Sequence, residues 1–129
     1  MAPSAWHPLA GNSMWPLTAP LEARVVPVLP QNLQIGDMIA FIAPNRPGLW
    51  MHRVVALNAD GVLTRGDTNA QPDPPVPWSA IVGRVDALRL GRFVMPLPEK
   101  LLPLHRALGQ QWSRVAPRLR KAVARRLYP

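Results

Sequence analysis

A chain of 129 residues can form one domain around one core, and an apolar content of 48% excludes wholesale disorder. The absence of cysteine excludes disulfides and thiolate metal sites, and 17 prolines disfavour long helices over most of the chain. The net charge of +8 is uneven: residues 99–129 carry eight Lys and Arg against one acid, whereas residues 1–98 carry seven against six. The basic tail indicates either an anionic partner or a solvated helix face.

The termini show no targeting signal. No stretch reaches the roughly 18 consecutive apolar residues of a transmembrane helix. The N-terminus lacks the basic segment and apolar run of a signal peptide. We therefore expect a cytoplasmic protein, peripheral to the membrane at most.

The first half of the chain reads as short strands. Residues 1–10 are expected to be irregular because they contain two prolines. Residues 23–29 are rich in valine and predict a strand, which Pro27 makes an edge or bulged strand. The apolar run 38–43 predicts a buried strand, and residues 49–57 predict another.

The second half continues this pattern. Residues 58–61 (Asn-Ala-Asp-Gly) predict a hairpin, because Asp-Gly suits the positive φ angles of a tight turn, and residues 62–65 would be the returning strand. Residues 66–79 predict a polar loop, and the strand 81–90 would close the sheet. The fold class is therefore mainly β: a small antiparallel β barrel or folded sheet.

From about Leu101 the apolar period changes to steps of three and four, which predicts an amphipathic helix. Its stripe consists of Leu101, Leu104, Leu108, Trp112, Val115, Leu119, Val123 and Leu127. Pro117 is expected to kink or split this helix near Ala116. Such a helix packs on its own domain, lies on an anionic membrane or binds a partner. We divide the chain into a β domain, 1–98, and a basic helical tail, 99–129.

One serine turn, residues 11–16 (Gly-Asn-Ser-Met-Trp-Pro), precedes the first predicted strand. A serine becomes a nucleophile only when a nearby base takes its proton. Both lysines of the chain lie in the tail, His7 lies in the lead-in and His105 in the tail, so His52 is the candidate base for Ser13. A lone histidine on a strand is also commonly a packing residue, so other motifs must decide.

Four blocks occur in a defined order: Gly11-Asn12-Ser13-Met14-Trp15-Pro16, Ile35-Gly36-Asp37-Met38-Ile39-Ala40-Phe41, Met51-His52-Arg53-Val54-Val55, and Thr64-Arg65-Gly66-Asp67-Thr68-Asn69 with Asp73 and Ile81-Val82-Gly83-Arg84-Val85. Together they resemble the signal peptidase I family of serine peptidases, in the superfamily that includes the LexA-type repressors. The first block matches the family's Gly-x-Ser-Met-x-Pro nucleophile box. The third is similar to the His-Arg-Val box of the archaeal and endoplasmic-reticulum branch, where histidine replaces the bacterial lysine.

The resemblance implies a role for each matching residue. Ser13 corresponds to the nucleophile, His52 to the general base and Asp73 to the acid that orients it, with Asp67 in a supporting role. The alternatives are a turn-capping carboxylate for Asp67 and a plain loop residue for Asp73. If His52 is the base, activity falls as the imidazole becomes protonated.

The substrate-side residues are inferred from the resemblance and, for the tryptophans, from their nearness to the proposed site in sequence. The Ser13 backbone N–H would be the first oxyanion donor, with Asn12 as a candidate second donor. Met14 and Trp15 are candidate substrate-binding residues. Trp50 and Trp78 are further candidates for lining the groove, although core packing is the commoner use of tryptophan.

The implied function is a serine endopeptidase that cleaves after small residues in an extended precursor or leader peptide, without metal or cofactor. Typical members carry a membrane anchor that is not seen in this sequence, and the basic tail is a candidate peripheral contact with anionic lipid. The alternatives are a non-catalytic peptide-binding module of the same fold, or a membrane or nucleic-acid adaptor driven by the tail. Nucleic acid is disfavoured as a partner, and so is a LexA-like repressor.

Overall fold

The computed structural model describes residues 5–97 and 102–127. Its strands and single helix follow in chain order: β1 (Ala5–Pro8), β2 (Glu22–Val26), β3 (Met38–Ile42), β4 (Leu49–Leu57), β5 (Gly61–Arg65), β6 (Val76–Pro77), β7 (Ile81–Leu90), β8 (Phe93–Pro96) and α1 (Leu102–Leu127). The strands form one antiparallel sheet of eight, curled into a half-barrel, and α1 packs against it. The expectation of a mainly β fold with a C-terminal helix is confirmed at this level.

The sheet order is β1-β2-β7-β3-β4-β5-β6, and β8 pairs with β7. Strand β3 lies at its centre and is buried on both faces. Ile39 and Phe41 enter one apolar cluster, whereas Met38 and Ala40 enter another, as the alternation of side chains along a strand requires. Neighbouring β4, which carries His52, is thereby held against a rigid core.

One edge of β4 stays open beside His52. Strand β3 pairs with β4 from Leu49 to Arg53, whereas the pairing with β5 on the other side begins only at Arg53. Within the described part of the chain, the outer edge of residues 49–52 therefore has no strand partner.

The first two strands differ from the sequence expectation. Residues 5–8 are not irregular but form β1, and Pro8 is tolerated because it ends a strand that pairs only with β2 in the described chain. An edge position for β2 is wrong, since it lies between β1 and β7. The pairing of β2 with β7 does shift register between Arg24 and Val25, but the extra residue there is Asp86 of β7, so β2 itself is not the bulged strand. Strand β2 ends at Val26 and not at residue 29, and Pro27 falls just after it, where it removes no ladder hydrogen bond.

Strands β4 and β7 have the predicted bounds, and β3 ends one residue early. The segment 66–79 is not wholly irregular, because it contains β6, which pairs with β5. Strand β8 is a further addition. All four of its residues are exposed, so it lacks the alternation that reveals a half-buried strand.

The hairpin at residues 58–61 forms for a different reason from the predicted one. Asn58 Oδ1 accepts hydrogen bonds from the backbone N–H groups of Asp60 and Gly61, and Gly61 has no positive φ. Glycine is needed because a Cβ at this position would lie 2.0 Å from the carbonyl oxygen of Val76.

Helix α1 runs unbroken through Pro117, so the expected split is absent. Proline cannot donate to the carbonyl oxygen four residues earlier, which belongs to Ser113. A side chain from the sheet compensates: Arg65 Nη2 donates to that oxygen at 3.0 Å. The freed acceptor thereby becomes a docking contact between the helix and β5.

Helix α1 docks mainly through small and polar residues. Leu102, Gly109, Ser113 and Ala116 are its buried positions, and Arg106 reaches the fully buried Asp37 at 2.7 Å. None of these buried positions belongs to the predicted apolar stripe.

No helix in residues 5–97 and 102–127 combines the length and apolarity needed to cross a bilayer.

Candidate active site

Ser13 lies in the turn between β1 and β2, which is held against the loop after β5. Gly11 has a φ of +72°, which glycine adopts without strain. The Thr68 N–H donates to the Ser13 carbonyl oxygen at 2.9 Å, and Thr68 Oγ1 donates to the carbonyl oxygens of Asn12 and Ser13 at 2.8 and 3.1 Å. A Cβ on Gly66 would lie 2.7 Å from the Ser13 Cβ, so this close approach requires glycine.

His52 brings Ser13 and Asp73 into one hydrogen-bonded chain. Its Nε2 lies 2.9 Å from Ser13 Oγ, and its Nδ1 lies 2.5 Å from Asp73 Oδ2. The imidazole is 2% exposed and meets the rings of Phe41 and Trp50 edge-on, at centroid distances of 6.0 and 6.1 Å. The contact between Ser13 and His52 that the sequence predicts is therefore present, in a ring orientation fixed by packing.

Thr64 holds Asp73 in place. The Thr64 hydroxyl donates to Asp73 Oδ2 at 2.7 Å, and the Asp73 N–H donates to the Thr64 carbonyl oxygen at 2.7 Å. Burial alone would raise the pKa of Asp73, but the hydrogen bonds from His52 and Thr64 hold it below its ordinary value, with help from nearby Arg46. An ionised Asp73 accepts a hydrogen bond from the Nδ1–H of His52, which leaves Nε2 free to accept a hydrogen bond from the Ser13 hydroxyl.

Asp67 belongs to a different network. Its two oxygens accept from Arg53 Nε and Nη2 at 2.8 and 2.9 Å, and both side chains are buried. Arg53 also donates to the carbonyl oxygen of Gly36. The Asp67 N–H donates to the sulfur of Met14, one residue after the serine. Asp67 thus supports the frame behind the site and has no direct contact with His52.

A groove of about 460 Å³ opens in front of Ser13 and His52. Residues 8–14 and Leu17 form one wall, and residues 47 and 49–52 form the other. Asn12, next to Ser13 in the chain, is exposed and lines this groove. Met14 also reaches it, but only 4% of Met14 is exposed, so most of its side chain is core.

The tryptophans have separate positions. Trp15 does not line the groove: its ring packs 5.9 Å from that of Trp112 on α1, and its carbonyl oxygen accepts from Trp112 Nε1. Its position therefore does not support a substrate contact. Trp50 does line the groove, whereas Trp78 packs on an apolar cluster and donates to Ala59.

Several positioning residues are absent from the sequence prediction. Thr64 and Thr68 lie inside the quoted fourth block, so the block does indicate that this segment belongs to the site. The identity of a threonine, however, does not indicate which residue its hydroxyl will hydrogen-bond. The contacts from α1 could not be predicted: Arg120 Nη1 donates to Thr68 Oγ1 at 3.0 Å, and Trp112 donates to Trp15. Both contacts join residues at least 52 positions apart, which no local pattern reveals.

In the described residues, no group of three His, Asp or Glu side chains converges on a point where a metal ion could bind.

No family model, curated protein or solved structure matches this chain. The geometry of the site must therefore carry the functional argument. A hydroxyl, an imidazole and a carboxylate in series beside a groove can activate the hydroxyl for attack on an acyl carbon.

Proposed function

We propose that this protein is a serine endopeptidase of the signal-peptidase type, with Ser13 as nucleophile, His52 as general base and Asp73 as the orienting carboxylate. The observation that carries the proposal is the continuous chain from Ser13 Oγ through His52 to Asp73, at 2.9 and 2.5 Å. The four sequence blocks and the curled antiparallel sheet are consistent with this family.

The proposed reaction is acyl transfer. His52 Nε2 takes the Ser13 proton as Oγ attacks the scissile carbonyl carbon, and the imidazolium then gives that proton to the leaving amine. Water attacks the acyl-enzyme by the same route in reverse. The Ser13 backbone N–H, with the Asn12 side chain beside it, would receive the developing negative charge on the carbonyl oxygen.

The proposed substrate is an extended peptide. The open edge of residues 49–52 offers backbone groups to an added strand, and that strand would run along the groove past Ser13. The groove is lined by apolar side chains, among them Leu9, Leu17, Leu49 and Met51. Small uncharged side chains next to the scissile bond suit this lining, as the family resemblance also implies.

The test is cleavage of a peptide library with small residues at alternate positions, read by mass spectrometry. Wild type should cleave, and Ser13→Ala and His52→Ala should each lose activity by on the order of 10⁴-fold or more. Ser79→Ala, at an exposed serine, and His7→Ala are the matched controls and should cleave normally.

Cleavage that survives Ser13→Ala would refute the mechanism. Peptide binding by wild type without any cleavage would instead indicate a non-catalytic peptide-binding module. Circular dichroism of each variant must match wild type before a loss of cleavage is assigned to chemistry.

A further inference from the structure

Most of the predicted apolar stripe of α1 faces solvent, whereas Trp112 within it packs on Trp15. The exposed fractions are 58% for Leu104, 57% for Leu108, 53% for Val115, 44% for Leu119 and 36% for Val123. These residues recur at steps of four, seven, four and four, so they share one face of the helix. Five large apolar side chains in a row on a surface helix indicate a binding face.

The sheet cannot cover this stripe, because it already occupies another face of α1. The buried positions 102, 109, 113 and 116 recur at steps of seven, four and three, on a different line along the helix. At the end of the helix, residues 121–126 are all exposed, and Val123 is one of them.

A basic stripe runs beside the apolar one. Arg114, Arg118, Lys121 and Arg125 recur at steps of four, three and four, all of them exposed. Their long side chains can lie along an apolar surface with the charge at its border. Helix α1 contains no Asp or Glu at all.

We propose that this face of α1 binds the surface of a membrane rich in anionic lipid, with the apolar stripe in the acyl boundary and the basic stripe among the headgroups. An amphipathic basic helix of this composition lies in the plane of the interface. The lipid would contact a helix that is already folded, because α1 is docked on the sheet.

Charge and apolar area decide against two other occupants, a second copy of this chain and a nucleic acid. A second copy would place one acid-free basic helix against another, which is repulsive. A nucleic acid would use the arginines but leave five apolar side chains without a partner. The proposal is independent of the peptidase proposal, because neither Ser13 nor His52 lies on α1.

The test is co-sedimentation of the full chain with vesicles of phosphatidylcholine alone or mixed equally with phosphatidylglycerol. We expect binding to the anionic vesicles and little to the neutral ones. Leu108→Gln with Leu119→Gln should weaken binding by at least about tenfold, because glutamine keeps the helix but not the apolar burial. Arg118→Gln with Lys121→Gln should weaken it by about fivefold per charge.

The matched control is Leu29→Gln with Leu57→Gln, which removes two exposed leucines from the β body. It should bind vesicles like wild type and, like every variant, keep the wild-type circular dichroism. Equal binding by the Leu108 and Leu119 double variant would overturn the proposal. The proposal would also be overturned if wild type were a dimer in sedimentation velocity and this double variant a monomer. Tight binding of wild type to duplex DNA without binding to vesicles would overturn it as well.

Discussion

Asp67 and Asp73 lie six residues apart but serve different hydrogen-bond networks. Asp73 contacts His52, whereas Asp67 neutralises the buried guanidinium of Arg53. The sequence resemblance assigned the orienting role to Asp73 and a supporting role to Asp67, and the contacts agree with that division. Substitution of each aspartate should therefore affect a different property.

Asp73→Asn should reduce turnover with little change in the fold. Asparagine keeps the size of the side chain but cannot stabilise an imidazolium or fix the Nδ1 tautomer. We expect kcat for peptide cleavage to fall by about 10²–10⁴-fold. If Asp73→Asn unfolds the protein and does not merely reduce turnover, Asp73 has a structural role.

Asp67→Asn should instead reduce the stability of the fold. Removal of its charge leaves Arg53 buried without a counterion, which costs about 3–5 kcal/mol. Urea unfolding should detect this loss in the free energy of unfolding. A stable Asp67→Asn protein would show that Arg53 has another partner.

His105 should make the protein less stable in mild acid. Burial lowers its pKa, Arg53 and Arg106 lower it further, and Asp37 and Asp67 only partly oppose them. Below the unfolded value of 6.5, the unfolded chain takes up a proton that the folded protein does not, so stability falls as pH falls through this window.

The measurement is urea unfolding of wild type and His105→Phe at pH 8 and pH 5. Phenylalanine removes both the titration and the buried Nε2, which has no hydrogen-bond partner in the described structure. The variant should therefore lose less stability between the two pH values. Equal losses would exclude His105 as the cause.

Helix α1 shows what periodicity can and cannot predict. Its existence follows from apolar steps of three and four, and its start is within a residue of the expected one. The periodicity does not predict which face docks on the sheet. That face contains a glycine, a serine and an alanine, which allow the helix to approach the sheet closely but are not strongly hydrophobic. Likewise, Pro117 predicts a break that Arg65 prevents by satisfying the Ser113 carbonyl.

Gly109→Ala should destabilise the protein, although the same change usually stabilises a helix by about 1 kcal/mol. An added Cβ would lie 2.2 Å from Arg53 Nη1, and Arg53 cannot yield because Asp67 and Gly36 hold it. We expect a loss of about 1–3 kcal/mol in urea unfolding. Gln111→Ala, at an exposed position two residues away on the opposite side of the helix, should be close to neutral.

Across the whole molecule, the sequence predicted most of the sheet because its central strands are alternating or continuously apolar. It missed β1 and β8, which have little buried surface to leave a pattern. Elimination of the lysines and of the other histidines left His52 as the candidate base for Ser13, but only the family resemblance supported that pairing and added Asp73, since the partners lie 21 and 39 residues apart. The division at residue 98 separates two sequence patterns, but the contacts of α1 join them into one structure.

Truncation should demonstrate this joint structure. A chain ending at Leu97 loses Arg106, the salt-bridge partner of Asp37, and uncovers the part of the β body on which α1 packs. It also loses the Arg120 contact to Thr68, which holds the Ser13 turn. A chain ending at Arg120 keeps both contacts and removes only positions that are exposed as far as 126.

We therefore expect the shorter chain to unfold at lower urea and to lose labelling of Ser13 by a fluorophosphonate probe. The chain ending at Arg120 should match the full chain in both assays. Wild-type stability of the chain ending at Leu97 would mean that the sheet folds without α1. In that case the helix contacts would be dispensable to the site, and the Ser13 turn would be held by Thr68 alone.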